Sequence, residues 1–166
     1  AAITYHSYSN LYIYPYGYEN GVYAPEPDHS VYVELTDQLS ADNGYQSGTG
    51  WELLYPVNGD TDDWFYGDTT DHEKIIAITP EVGGSGDGFW PTEARRIPLC
   101  EENLEPCMLF GELAGNMWAS LPPAAPVMDE VGTVASDYLL SWSTPVPQND
   151  NPAVDYRLLE LQSLSN

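Results

Sequence analysis

Along the first 120 or so residues, short apolar runs alternate with segments whose apolar residues recur every three or four positions. Ala2 to Tyr5 reads as a strand that delivers His6 to its carboxyl end, and Leu11 to Tyr14 as a second extended run that stops at Pro15-Tyr16-Gly17. Val31, Leu35 and Leu39 share one face of a helix expected over roughly Ser30 to Ala41, with Asp28 as its N-cap and Asn43-Gly44 as its stop. Residues 44–50 are small and hydroxyl-rich, which predicts a flexible loop, and Trp51 to Val57 predicts an extended run. Asn58 to Trp64 is a tight acidic turn leading into a short helix through Tyr66. Ile75 to Thr79 is a β-branched buried strand that ends in Pro80-Glu81, followed by a glycine-rich loop over 82–88. The Arg95 to Pro98 stretch leads to a helix over about Glu101 to Ala114, with Leu104, Met108 and Leu113 on its apolar side and Pro106 in its first turn. Strands and helices mixed in this order predict an α/β fold.

The pattern changes at Leu121-Pro122-Pro123-Ala124-Ala125-Pro126, within a stiff proline-rich linker over 119–126. Beyond it, 127–134, 138–143 and 156–162 alternate like strands, with Trp142 as a candidate for burial. This segment, 127–166, resembles the opening of a fibronectin type III-like sandwich, which needs about seven strands and about 100 residues to close. The sequence also opens inside a strand without an initiator methionine, so the chain is expected to be a piece of something longer.

Charge narrows the classes of partner. The chain carries 26 Asp+Glu against 4 Lys+Arg, a formal charge of −22. Such an excess repels nucleic acid and anionic membranes. It is spread through the chain among 13% aromatics, which separates it from a disordered acidic tail. A folded, highly soluble extracellular or salt-adapted protein is the reading, with no membrane insertion, since no apolar run approaches spanning length. Cys100 and Cys107, with six residues between them, form no CxxC or Cys/His cluster. They read either as a local disulfide of an exported protein or as two free buried thiols.

His6-Ser7-Tyr8-Ser9-Asn10-Leu11-Tyr12-Ile13-Tyr14-Pro15-Tyr16-Gly17-Tyr18 resembles the segment of the zinc carboxypeptidases that carries the third zinc ligand. The likeness extends over residues 1–118. It implies the C-terminal portion of a mixed-sheet α/β catalytic domain, with an incomplete β-sandwich segment after it. His6 would be a ligand to Zn2+, and Ser7 and Tyr8 of the same motif would bind substrate. Tyr55, nine residues before Trp64, matches the mobile tyrosine that folds over substrate. Asp62, in Asp62-Asp63-Trp64, matches the base of the side-chain pocket in the members that prefer C-terminal Lys or Arg. Glu81 matches the catalytic glutamate. Gly88-Phe89-Trp90-Pro91 and Glu102-Asn103-Leu104 are similar to the bacterial branch. The resemblance further implies that peptide or protein C-termini are the substrate. The two other zinc ligands, from a His-x-x-Glu motif, and the substrate arginines are expected upstream of Ala1, in a missing N-terminal half of the domain. No His-x-x-Glu occurs in these 166 residues, so the chain alone is expected to be inactive.

Taken singly, the same residues have plainer uses. A lone histidine is often a packed, hydrogen-bonded side chain, and Glu81 at a strand end can serve loop amides. Tyr55 is one of 13 tyrosines and can simply pack. Asp60, Asp62 and Asp63 can cap a turn or form a weak calcium loop, although the EF-hand glycine and terminal glutamate are missing. Arg95 and Arg96 can pair with the acid excess, and His29 and His72 fall in polar loops. A non-catalytic extracellular binding or structural protein on the same framework is the alternative to the enzyme.

Overall fold

The computed structural model describes residues 1–123, 125–129 and 140–143, in two units that divide between Leu121 and Pro122. The first unit is built on a four-stranded mixed sheet in the order β1-β4-β2-β3, from β1 Ala2–Ile3, β2 Leu11–Tyr14, β3 Gln46–Thr49 and β4 Ala77–Glu81. β1 runs parallel to β4, β4 antiparallel to β2, and β2 parallel to β3. The parallel ladder continues past β1: the Ala2, Thr4 and His6 amides donate to the Ile76, Ile78 and Pro80 carbonyls at 2.9–3.0 Å, and the Val82 amide donates back to the His6 carbonyl at 3.0 Å.

Period-two alternation then sorts the side chains between two faces. Tyr12, Tyr14, Ile76 and Ile78 point into one core with Val31, Tyr32, Leu35 and Leu39 of helix α1, Asp28–Asn43. Phe110 of α5, Leu104–Leu113, and Met117 of a 3₁₀ turn, Met117–Ser120, complete it. Ile13, Thr79 and Glu81 alternate with these residues and belong to the opposite face, where the candidate site lies.

Helix α1 keeps the predicted face but not the predicted cap. Asp28 is its first helical residue rather than the N-cap, and it turns inward. Its buried carboxylate accepts from the Tyr66 hydroxyl at 2.8 Å and pairs with Lys74. Glu26 takes over the capping work by accepting from the Ser30 amide at 3.2 Å and hydroxyl at 2.7 Å. At the other end Gly44 adopts φ 68° and returns its amide to the Ser40 carbonyl, the left-handed cap that favours glycine.

Three further expectations are corrected. Residues 46–49 form β3 rather than a loop, because parallel pairing with β2 in the register Leu11↔Gln46 to Tyr14↔Thr49 outweighs the weak strand propensity of Gln-Ser-Gly-Thr. Trp51 to Val57 does not run extended throughout. Helix α2, Gly50–Leu53, is nucleated where Glu52 reaches back to accept from the Thr49 amide at 3.0 Å and hydroxyl at 2.9 Å. The expected helix over 101–114 is two helices, α4 Glu93–Glu102 and α5, broken at Asn103. There the Asn103 side-chain amide donates to the Leu99 carbonyl at 2.9 Å. The break turns the face: Pro106 and Phe110 are buried and Leu113 packs partly, whereas Leu104 and Met108 are exposed. Helix α3, Thr61–Gly67, follows the acidic turn as expected, with Asp60 as N-cap accepting from the Asp62 amide at 3.1 Å.

In the second unit, β5 Val127–Met128 pairs antiparallel with β6 Trp142–Ser143. Trp142 is 42% exposed rather than buried. The remainder of the 127–134 and 138–143 runs, and all of 156–162, lie outside the described residues. No helix among the described residues is long and apolar enough to cross a membrane.

The inward-turned Asp28 gives the first prediction. Asp28→Ala strands the buried Tyr66 hydroxyl and frees Lys74, and is expected to cost about 2 kcal/mol. In a Tyr66→Phe background the loss is expected to shrink by about 1 kcal/mol. Urea unfolding of the four proteins of the cycle measures this, and strictly additive losses would show that the hydroxyl does not depend on Asp28.

Candidate functional site

The candidate site grows from the parallel ladder between β1 and β4. Because the His6 amide and carbonyl are bonded to Pro80 and Val82, His6 stands beside Glu81 in direct register, the two residues bridging adjacent strand ends. Carboxyl ends of parallel strands are where open α/β sheets hold ligands. A cavity of about 310 Å³ opens here. His6, Ile13, Thr79 and Glu81 of the sheet line it together with Gly50 of α2, Tyr55 of the following loop, and Asp60 and Thr61 at the start of α3.

Glu81 is half-buried, and its Oε2 is buried without a hydrogen-bond partner. Burial raises its pKa above the ordinary glutamate value, and the neighbouring His6 opposes part of the rise. This carboxyl sits in an environment suited to holding or passing a proton. Tyr55 is 66% exposed on the loop after α2, at the rim of the same cavity.

Asp62 lies behind the cavity wall. It is fully buried, with neither carboxylate oxygen hydrogen-bonded among the described residues. Burial pushes its pKa up to about 8. The Thr79 hydroxyl, which pairs with that of Thr4, opposes part of the rise, and Asp60 and Asp63 add to it. Asp63 has a different task. It accepts from the Gly17 amide at 2.8 Å and so ties α3 to the turn after β2.

Ser7 and Tyr8, joined to each other by a cis peptide bond, follow His6, and neither lines the cavity. Tyr8 meets Phe89 of the glycine-rich loop edge-to-face at 5.0 Å. Cys100 and Cys107 are free, exposed thiols on α4 and α5, neither joined in the disulfide nor buried as its alternative supposed. The break at Asn103 places them on separate helices along one apolar cavity of about 420 Å³, which also touches Tyr5 and His6. Arg95 pairs with Asp87 at 2.6 Å, the use of the acid excess that the sequence suggested.

Thr79, Ile13 and Gly50 also line the cavity, without being singled out by the sequence. Thr79 was within reach: it stands two residues before Glu81 on one strand, and period two puts both on the same face. Ile13 and Gly50 enter only through the β4-β2-β3 pairing, for which the sequence carries no local signal.

Zinc is held by about three protein ligands at a catalytic site. His6 is one donor of the right chemistry, but the described residues contain no group of three His, Cys, Asp or Glu side chains able to hold a metal. His29 packs against Tyr14 and Tyr23, and His72 against Trp64. The described residues therefore do not make a zinc site on their own, nor does the Asp60, Asp62 and Asp63 cluster make a calcium loop.

Asp62 supplies a prediction about pH. Its usual value is near 3.8 and its folded value about 8, so between these limits the folded form holds a proton that the unfolded chain has lost. Stability therefore falls as pH rises across this window and levels off above it. Asp62→Asn is expected to flatten this dependence and to gain at least about 1 kcal/mol over the unsubstituted chain between pH 5 and pH 8.5. Urea unfolding at the two pH values reads it, and parallel curves would sink it.

The arrangement has known counterparts. Carboxypeptidase B of Canis lupus familiaris is 32% identical over 108 residues, 63% of this chain and 25% of its own length. Zinc carboxypeptidase A 1 of Anopheles gambiae is 33% identical over 112 residues, again 63% and 25%. Human carboxypeptidase O is 29% identical over 143 residues, 83% of this chain and 35% of its own. The chain thus spans between a quarter and about a third of these relatives. Among solved structures, thrombin-activatable fibrinolysis inhibitor superposes with a TM-score of 0.55 at 26% identity, covering 68% of this chain and 29% of that one. The bovine form, solved in complex with tick carboxypeptidase inhibitor, gives 0.52 at 27% identity, covering 68% and 38%. The profile of the zinc carboxypeptidase family matches residues 1–106, and the chain belongs to that family.

Proposed function

We propose that residues 1–118 are the C-terminal portion of the catalytic domain of a secreted zinc metallocarboxypeptidase, which removes the C-terminal residue of peptides or proteins. The observation that carries this reading is the register of His6 with Glu81 at adjacent strand ends, over a cavity with Tyr55 at its rim. Glu81 takes a proton from the attacking water and delivers it to the leaving amine, a role that its raised pKa favours. Tyr55, exposed and unpacked, swings over the bound peptide and donates its hydroxyl. A cationic side chain entering near Asp62 lowers the pKa of its carboxyl, which releases its proton to solvent and pairs with the cation, so C-terminal Lys or Arg is preferred.

His6 supplies one zinc ligand. The other two, with the arginines that hold the substrate's terminal carboxylate, come from an N-terminal half of the domain outside these 166 residues. The charge of −22 supports an extracellular location. The Gly88-Phe89-Trp90-Pro91 and Glu102-Asn103-Leu104 stretches support a place in the bacterial branch. Residues 127–166, where β5 and β6 pair antiparallel, begin a fibronectin type III-like module after the 119–126 linker. The alternative reading is a non-catalytic extracellular binding or structural protein on the same framework.

Hydrolysis of dipeptide substrates ending in arginine, lysine or phenylalanine, by the full-length parent protein loaded with zinc, separates the two. The parent is expected to cleave, with kcat/KM higher for the basic residues, and Glu81→Gln is expected to lower kcat by about 10³-fold. The 166-residue chain alone is expected to bind less than one equivalent of zinc and to show no turnover. A zinc-loaded parent with no turnover on any of these peptides would hand the case to the non-catalytic reading.

A further inference from the structure

We propose that Tyr45 is a positioning residue for Glu81, acting through the turn that follows it; this rests on the carboxypeptidase reading above. Tyr45 is buried, and its hydroxyl is fully used. It donates to Glu102 Oε1 at 2.7 Å and accepts from the Gly83 amide at 3.3 Å and the Asn103 side-chain amide at 3.1 Å. A phenol has one proton and two lone pairs to offer, so no partner can be exchanged without loss. Burial also raises the Tyr45 pKa, which keeps the proton on the hydroxyl.

Gly83 is the second residue after Glu81, in a turn held from every side. Its φ is +86°, and a Cβ there would come within 3.1 Å of Asp87 Cβ. Its carbonyl accepts from the Asn10 amide at 3.1 Å, and the preceding Val82 amide donates to the His6 carbonyl at 3.0 Å. Asp87 accepts from the Gly84 amide at 3.1 Å and is itself fixed by Arg95. Tyr45 is thus the only side chain among the described residues shown bonded to the Gly83 amide, and it reaches there from the start of β3, on the far side of the sheet from β1.

The reason this matters for Glu81 is the state of its own side chain. Its buried Oε2 has no hydrogen bond to hold it, so the backbone does the aiming. Removing the Tyr45 hydroxyl leaves the buried Gly83 amide unsatisfied, and the turn relieves that cost by moving. The movement is passed to Glu81 and, through Val82, to His6. Small misplacements of a catalytic group can cost up to about 10²-fold in rate.

The test is Tyr45→Phe in the zinc-loaded full-length parent, well below its melting temperature, beside Tyr66→Phe. The control removes another buried hydroxyl, which donates to Asp28 at 2.8 Å and belongs to α3 rather than to the Glu81 turn. Tyr45→Phe is expected to lower kcat about 10-fold with KM unchanged, while Tyr66→Phe leaves kcat within a factor of about 2. In the 166-residue chain, the Gly83 amide is expected to exchange with solvent faster in Tyr45→Phe, with α1 amides unchanged. Unchanged kcat, an equal fall in both variants, or faster exchange throughout the chain would overturn the proposal. A wild-type parent without turnover would instead remove the carboxypeptidase reading, and this role with it.

Discussion

Everything at the site depends on a short backbone ladder between residues 2–6 and 76–82. Each bond in it is an ordinary amide-to-carbonyl contact near 3 Å. Its value lies in register, because period-two alternation means that a slip of one residue would send Glu81 to the opposite face of the sheet. Held as it is, the ladder puts an imidazole and a carboxyl on neighbouring strand ends, across more than 70 residues of sequence.

The same sheet divides structural from chemical labour by face. Tyr12, Tyr14, Ile76 and Ile78 meet α1 and α5, and their packing fixes the sheet. The opposite face carries the groups that burial penalises: Glu81 with an unpartnered oxygen, and Asp62 with two. An apolar substitute at either position would give a more stable chain, since buried carboxyls without partners oppose folding. Glu81 lines the cavity and Asp62 follows Asp60 and Thr61, which also line it, so the stability given up at both acids is given up around one cavity.

How much of this could be read from the sequence follows the range of the interaction concerned. Helix α1 was legible because its Val31, Leu35 and Leu39 stripe and its Gly44 stop are local. The inward turn of Asp28 was not, because its partners Tyr66 and Lys74 lie 38 and 46 residues away. β3 was invisible for the same reason: Gln-Ser-Gly-Thr has no strand character until β2 lies beside it. The break at Asn103 hid behind a helical run on either side, and with it went the face assigned to Leu104 and Met108. Likeness to a family motif singles out His6, Glu81 and Tyr55, which line one cavity, and Ser7 and Tyr8, which are not part of its lining.

Asp62 shows why a motif and a structure have to be read together. The motif places it at the base of the side-chain pocket, whereas the fold seals it behind Thr61 and Thr79, with Asp60 and Asp63 close enough to raise its pKa further. A fully ionised carboxylate there would be uncompensated, so burial shifts the balance towards the neutral acid. The motif names the residue and the fold sets its state: a fully buried acid, absent from the lining of the cavity, whose neutral form burial favours. What a likeness assigns to a position thus has to be weighed against the desolvation that the fold imposes there.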